Sequence, residues 1–74
     1  MTDNVVSVGS RVRVRDAEGE FGFAVVPPED EDAAAERVSA TSPIGQALLG
    51  RRVGDQVRFR APGGLMGVTV LDVG

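Results

Sequence analysis

The chain has 74 residues, a formal net charge of −3, and no cysteine or histidine. One small domain is the expected organisation at this length. The lack of cysteine excludes a disulfide framework, thiolate metal sites and a cysteine nucleophile. No apolar run reaches the roughly 20 residues of a membrane-spanning helix, and the N-terminus lacks the features of a signal peptide. We therefore expect a cytoplasmic protein with no membrane partner.

Several residue types that carry chemistry or recognise nucleic acids are missing. Histidine, the usual general base near neutral pH, is absent, and every basic residue is arginine. An enzyme is therefore disfavoured, and no cofactor is expected. The acidic balance and the presence of only three aromatic residues also disfavour direct binding to DNA or RNA.

The first element is predicted to be a half-buried strand. Within residues 8–16, Val8, Val12 and Val14 fall on one parity, and the three arginines fall on the other. A period of two places the valines in the core and the arginines on an outer face. Residues 16–19 then predict a turn.

A second strand is predicted over residues 21–26, where Pro27 and Pro28 end it, so that the two strands form an antiparallel hairpin. Phe21 and Phe23 share one face of this strand. That parity favours the core for both phenylalanines. If the face is not fully covered, they would instead mark an apolar ligand pocket.

Residues 29–32 are four consecutive acids, followed by three alanines. The simplest interpretation is a solvated loop with a turn of helix at the alanines, since acidic residues favour a helix N-terminus. The run lacks the spacing and the closing glutamate of a calcium-binding loop. No metal site is predicted here.

The stretch SATSPIGQALLGRRVGDQV, residues 39–57, predicts a loop, a short helix and a turn into a strand. Ser42 is a natural N-cap, Pro43 suits the first helical position, and Gly50 suits the residue that follows the helix. Spacings of i, i+3 and i+4 give the helix one apolar face, formed by Ile44, Ala47 and Leu48.

A second hairpin is predicted at the end of the chain. Val57 and Phe59 point inward in a strand over residues 57–60, and residues 61–64 form a turn into a last strand over residues 65–73. Gly67 within the last strand indicates a bulge or a close backbone approach.

The outward arginines of the first strand and of the strand over residues 57–60 are most simply solvated. If these strands lie near each other in the sheet, their arginines form a cationic stripe that can meet an acidic partner surface. Together, the elements predict an α+β architecture in which four or five antiparallel strands curl around one short helix.

Three segments in order resemble the C-terminal domain of the Gre transcript-cleavage factors. They are V-x-V-G-S-x-V-x-V-x-D at residues 6–16, S-x-x-S-P-I-G-x-A-L-L-G-x-x-V-G-D-x-V at residues 39–57, and A-P-G-G at residues 61–64. The resemblance covers about residues 5–73 and implies an FKBP-like fold for residues 5–74. Residues 1–4 are expected to be a disordered N-terminus.

The resemblance also implies a partner, bacterial RNA polymerase. In this family the domain docks on the rim of the polymerase secondary channel, against a coiled coil of the β′ subunit, and the loop before the short helix makes much of the contact. Carried over by motif, the candidate partner-binding residues are Thr41, Ser42, Pro43 and Ile44. Some relatives have an acidic residue at the position of Thr41.

A full Gre factor begins with an antiparallel coiled coil whose acidic tip holds the metal ion for RNA cleavage, and no segment here corresponds to it. We therefore expect a module that docks on polymerase and modulates transcription, or competes with other factors, without cleavage activity. Met1 and the short polar lead favour a standalone domain over a fragment.

The alternative hypothesis is a Gre-like domain repurposed to bind a small molecule or a pathway enzyme, or to catalyse a step, through its concave face. The sequence leaves the oligomeric state open.

Overall fold

The structure is a computed structural model that describes residues 5–74. Residues 1–4, predicted to be disordered, lie outside the described residues. Two 3-10 helices span Pro28–Asp30 and Ala33–Ala35, and the α-helix, α1, spans Pro43–Leu48. The strands are β1 (Arg11–Asp16), β2 (Gly19–Val26), β3 (Arg37–Ser39), β4 (Gln56–Ala61) and β5 (Gly64–Val73). Among residues 5–74, no helix is long and apolar enough to cross a lipid bilayer.

All five strands form one sheet in the order β3-β2-β1-β5-β4. The two predicted hairpins, β1–β2 and β4–β5, are antiparallel, and β1 also pairs antiparallel with β5. The edge strand β3 instead runs parallel to β2. Parallel neighbours need a crossover, which residues 27–36 provide. The predicted α+β fold is confirmed, with a sheet that is mixed instead of wholly antiparallel.

Strand β1 begins later than the valine–arginine alternation predicted. The Ser10 amide donates to the Ser7 carbonyl at 2.9 Å, and Gly9 has a φ of 101°, so residues 7–10 form a turn. Val8 lies in that turn and is 53% exposed. The prediction that Val8 shares the buried face of β1 is therefore wrong, because the turn interrupts the period of two before the strand starts.

Gly67 was predicted to mark a bulge or a close backbone approach, and the bulge of β5 lies elsewhere on the strand. Gly67 pairs with Arg58 in regular register. The register shift falls between Arg13 and Val14 of β1, opposite Leu71, which is the extra residue of β5. A bulge bends the strand that carries it and increases its twist, so this one contributes to the curl of the sheet.

Helix α1 completes the core of the curled sheet. It contacts β4 and β3, which are the two edge strands, and so spans the opening between them. Leu48 is fully buried and is the main apolar anchor of the helix. Most of the other core residues are valines, whose β-branched side chains suit strands. The buried core consists of Val6, Val12, Val14, Phe23, Val25, Leu48, Val57, Val68, Val70 and Val73.

Candidate partner-binding site

The segment of residues 39–43, which leads into α1 and includes its first residue, is called the entry loop. Its conformation is held by short-range hydrogen bonds. The hydroxyls of Ser39 and Thr41 lie 2.8 Å apart, and the Thr41 amide donates to Ser39 Oγ at 3.1 Å. The Ala40 amide donates to the Val26 carbonyl at 2.7 Å, which ties the loop to the end of β2. These bonds fix the backbone that presents Thr41.

Ser42 caps α1, as predicted. Its Oγ accepts a hydrogen bond from the Gly45 amide at 3.1 Å, and its hydroxyl donates to the Ser39 carbonyl at 2.6 Å. Pro43 begins the helix, where its missing N–H leaves no bond unmade. Gly50 follows the helix with a φ of 82°, the left-handed conformation expected after a helix end. Both ends of this short helix are therefore encoded by local residues.

Gly45 lies where the entry loop crosses the first turn of α1. A Cβ atom at this position would overlap the carbonyl oxygen of Ser39 and lie 3.0 Å from the Cα of Ala40. Both obstacles are backbone atoms, so no side-chain rotation could make room. A glycine beside Pro43 can serve either the close approach of a partner or close packing within the domain. The structure supports the second, since Gly45 is buried under the entry loop.

The four predicted partner-binding residues differ in their exposure. Thr41 and Pro43 are exposed, whereas Ser42 and Ile44 are half-buried. The Ile44 side chain packs against the hydrophobic core. A partner can therefore reach Thr41 and Pro43 most easily, while Ser42 and Ile44 hold them in place.

An open groove of about 420 Å³ runs beside these residues, between α1 and β4. Its walls are formed by Thr41, Pro43, Gln46, Ala47 and Arg60. Gln46 lies three residues after Pro43 and so falls on the same helix face. The combination of an apolar ring, an amide and a guanidinium can receive an apolar partner side chain next to an acidic one.

Sequence reasoning missed two residues of this groove. Gln46 could have been found, because helical spacing alone places it next to Pro43. Arg60 was predicted only as part of the solvated outer face. Its position beside α1 depends on the contact between the helix and β4, which no local pattern in the sequence indicates.

Phe21 and Phe23 share one face of β2 but have different environments. Phe23 is 8% exposed and belongs to the core, as predicted. Phe21 is 48% exposed, so the prediction that it lies in the core is wrong. Phe21 pairs with Val14 close to the turn of the first hairpin, whereas the main contacts of α1 are with β3 and β4. The sequence-predicted ligand face thus consists of one buried and one exposed phenylalanine.

The segment of residues 27–36 is called the acidic loop. Its four consecutive acids are exposed, as the solvated interpretation predicted. Asp32 caps the second 3-10 helix, with its Oδ1 accepting the Ala34 amide at 3.1 Å. Among residues 5–74, no group of three or more acidic, histidine or cysteine side chains could hold a metal ion.

The family model described as "Transcription elongation factor, GreA/GreB, C-term" matches residues 1–74. The chain belongs to this family. The transcription elongation factor GreA of Thermotoga neapolitana is 43% identical over 70 residues, which cover 92% of this chain and 45% of the relative. GreA of Clostridium acetobutylicum is 37% identical over 67 residues, which cover 88% of this chain and 42% of the relative. The chain thus spans slightly less than half the length of these relatives.

Solved structures of Gre proteins share the fold of this Gre domain. The crystal structure of Thermus aquaticus Gfh1 has a TM-score of 0.84 at 32% identity, covering 97% of this chain and 49% of that protein. The elongation factor GreA/GreB of Nitrosomonas europaea has a TM-score of 0.78 at 36% identity, covering 99% of this chain and 62% of that protein. The resemblance deduced from the three sequence motifs is therefore confirmed, and so is the fold that it implied.

Proposed function

We propose that this Gre domain binds bacterial RNA polymerase at the rim of the secondary channel, against the β′ coiled coil. The proposed contact segment is Thr41, Ser42, Pro43 and Ile44, in which Thr41 and Pro43 are exposed to the partner and Ser42 and Ile44 position them. The observation that carries the proposal is the exposure of Thr41 and Pro43 on a loop that the domain holds in one conformation. Family membership supplies the class of partner, since the relatives are transcription elongation factors.

The entry loop has the physical properties of a docking surface. A loop that is already ordered loses little conformational entropy when a partner binds, so more of the contact energy contributes to affinity. Pro43 offers an apolar contact without a backbone N–H that would need a partner. Gln46 and Arg60 border it with polar groups, which matches the apolar centre and polar rim of protein interfaces.

The proposed role is occupancy of the channel rim, without RNA cleavage. The elements of residues 5–74 form a curled sheet with a short helix and include no coiled coil. A domain of this shape modulates transcription by occupying the rim, or by competing there with other factors. The proposed place of action is the cytoplasm, where the polymerase works.

The alternative, a ligand-binding protein that uses its concave face, has less support. That face is filled by the hydrophobic core and closed by α1. Phe23 is buried in this core, and Phe21 is exposed near the first hairpin turn. A small-molecule site needs a concave pocket with converging polar groups, and this pair of phenylalanines does not provide one.

Binding to purified bacterial RNA polymerase, measured by biolayer interferometry, tests the proposal. We expect saturable binding, and we expect Pro43→Ala to weaken it about tenfold, as truncation of an interface hot spot does. Because Pro43 is exposed, the same change should lower the free energy of unfolding by no more than about 1 kcal/mol.

Pro28→Ala is the matched control. Pro28 is also exposed and also begins a helix, the first 3-10 helix, but it lies in the acidic loop. Its replacement should leave polymerase binding unchanged. Equal weakening by the two substitutions, or no binding of the unmodified domain at tens of micromolar, would refute docking through the entry loop.

A further inference from the structure

The outer face of the sheet contains a depression of about 300 Å³, centred on β5. Strand β5 lies between β1 and β4, so residues of both neighbours can border one site. Arg15 of β1 pairs with Thr69, and Arg58 of β4 pairs with Gly67, two residues away on the same face of β5. Both arginines line the depression, and Thr69 and Gly67 form its floor.

Gly67 is not explained by the fold. Its φ lies outside the left-handed region, and a Cβ atom would meet only Arg58 Cγ and the Val57 carbonyl oxygen, both at 3.8 Å, which is ordinary contact. Glycine weakens the interior of a strand and often marks a place where a ligand approaches closely. Here the missing side chain leaves the floor between the two arginines open.

The two guanidinium groups are available for a ligand. Among residues 5–74, the ion pair is formed by Arg13 Nη1 and Glu20 Oε1, which lie 3.6 Å apart. Neither Arg15 nor Arg58 takes part in it. Gln56, which pairs with Thr69, adds an amide to the edge of the depression. The site therefore combines two cations with a hydroxyl and an amide that can donate hydrogen bonds.

One negative charge lines the depression, and a second, Glu20, lies opposite Arg15 on the far side of β1, where it pairs with Arg13. Asp16 lines the depression near Arg15. Its Oδ1 accepts the amides of Glu18 at 2.7 Å and Gly19 at 3.1 Å, so the carboxylate is engaged by the turn between β1 and β2. The charged side chains of the depression are two arginines and one aspartate, so their net charge is positive.

From this geometry we propose that the depression binds the phosphate groups of a small molecule. Arginine forms paired hydrogen bonds to phosphate oxygens, and two arginines on opposite sides of an open floor suit a ligand with two negative charges better than a single carboxylate. A volume of about 300 Å³ lies at the lower end of the range for small-molecule sites. The ligand class is therefore a pyrophosphate or the phosphates of a nucleotide.

Titration of the ¹⁵N-labelled domain with inorganic pyrophosphate, followed by amide chemical shifts at low ionic strength, tests this assignment. We expect saturable shifts centred on residues 56, 58, 67 and 69. Arg15→Gln and Arg58→Gln should each weaken binding about tenfold or more, as expected for loss of a charged hydrogen-bond donor. Arg37→Gln makes the same charge change on the edge strand β3, outside the depression, and should leave binding unchanged within about twofold.

Two further variants separate the site from the stability of the fold. Gly67→Val fills the floor with a residue that favours strands, so it should abolish binding while the domain stays folded. Asp16→Asn keeps an oxygen acceptor for the turn and removes the negative charge, so it should tighten binding several-fold.

The source of the phosphate is resolved by titrating ADP beside pyrophosphate. Tighter binding of ADP, with shifts beyond the arginines, identifies a nucleotide, and equal binding identifies the phosphates alone. Shifts that grow linearly without saturation, or equal losses in Arg15→Gln and Arg37→Gln, would show diffuse attraction to a charged face and overturn the proposal. Tighter binding of an acidic peptide such as octaglutamate would also overturn it, by showing that the face recognises protein carboxylates.

Discussion

The entry loop and the acidic loop flank the same three-residue strand, β3, but the chain holds them differently. The entry loop is bonded to β2 and to α1, and it packs directly on buried Gly45. The acidic loop is exposed along residues 28–36. Most of its hydrogen bonds close its own two 3-10 turns. Its last residue, Glu36, accepts the Ala24 amide of β2, and Asp32 forms a bridge with Arg37 at the start of β3.

The highly charged loop is therefore the less constrained of the two. The acidic loop is the most conspicuous feature of the composition, yet little of the core depends on it. The entry loop has no charged residue, and several of its atoms have fixed partners within the domain. A surface that must match a partner benefits from this kind of pre-organisation. Substitutions in the two loops can show whether they differ in their contribution to stability as they do in geometry.

The largest effect is expected for Gly45→Ala. Helix propensity alone predicts a gain of about 1 kcal/mol for alanine over glycine. The structure predicts the opposite sign, because the new methyl group would overlap the Ser39 carbonyl oxygen. Overpacking of this kind costs about 3 kcal/mol or more when the obstacle is backbone that cannot rotate away. Equilibrium unfolding in urea measures the change.

Gly63→Ala is the control for this substitution. Gly63 lies in the turn between β4 and β5, and a Cβ atom there would meet nothing within 4 Å. We expect a change within about 0.5 kcal/mol. If Gly45→Ala were as mild as Gly63→Ala, the entry loop would not rest on the helix as described.

Local signals in the sequence predicted the helix well and its surroundings less well. Ser42, Pro43 and Gly50 mark the ends of α1 through bonds and backbone angles that involve near neighbours, so the pattern alone was sufficient. The parallel pairing of β3 with β2 and the contact of α1 with Arg60 depend on how distant segments meet. Sequence periodicity carries no information on such contacts.

The failed predictions have the same origin. Phe21 has the parity of a core residue, but parity shows only which face a side chain occupies and not whether another element covers it. Of the two alternatives for Gly67, a bulge or a close backbone approach, the bulge is not found there. It occurs at Leu71, a residue type that gives no local signal for a bulge. Its position depends on the register between β1 and β5.

An intermediate effect is expected for Ser42→Ala. The change removes the cap on the Gly45 amide and the bond to the Ser39 carbonyl together. Loss of an N-cap costs about 1 kcal/mol, and the second bond should bring the total to about 1–2 kcal/mol. Urea unfolding measures this loss, and Ser42→Thr, which retains a hydroxyl, should recover most of it. No recovery with threonine would mean that the hydroxyl bonds are not the cause.

The smallest effect is expected for Asp32→Ala, the equivalent cap in the acidic loop. Asp32 caps a 3-10 helix of only three residues, and no residue of that helix is buried. Removal of its carboxylate also relieves repulsion within the run of four acids, which offsets part of the lost hydrogen bond. We expect a loss of about 0.5 kcal/mol or less in urea unfolding, and unchanged binding to polymerase. Asp32→Asn keeps the cap while removing the charge, so it should be neutral or slightly stabilising. If Asp32→Ala instead lowered the free energy of unfolding as much as Ser42→Ala, the acidic loop would be as constrained as the entry loop. Exposure would then be a poor guide to which loop stabilises the domain.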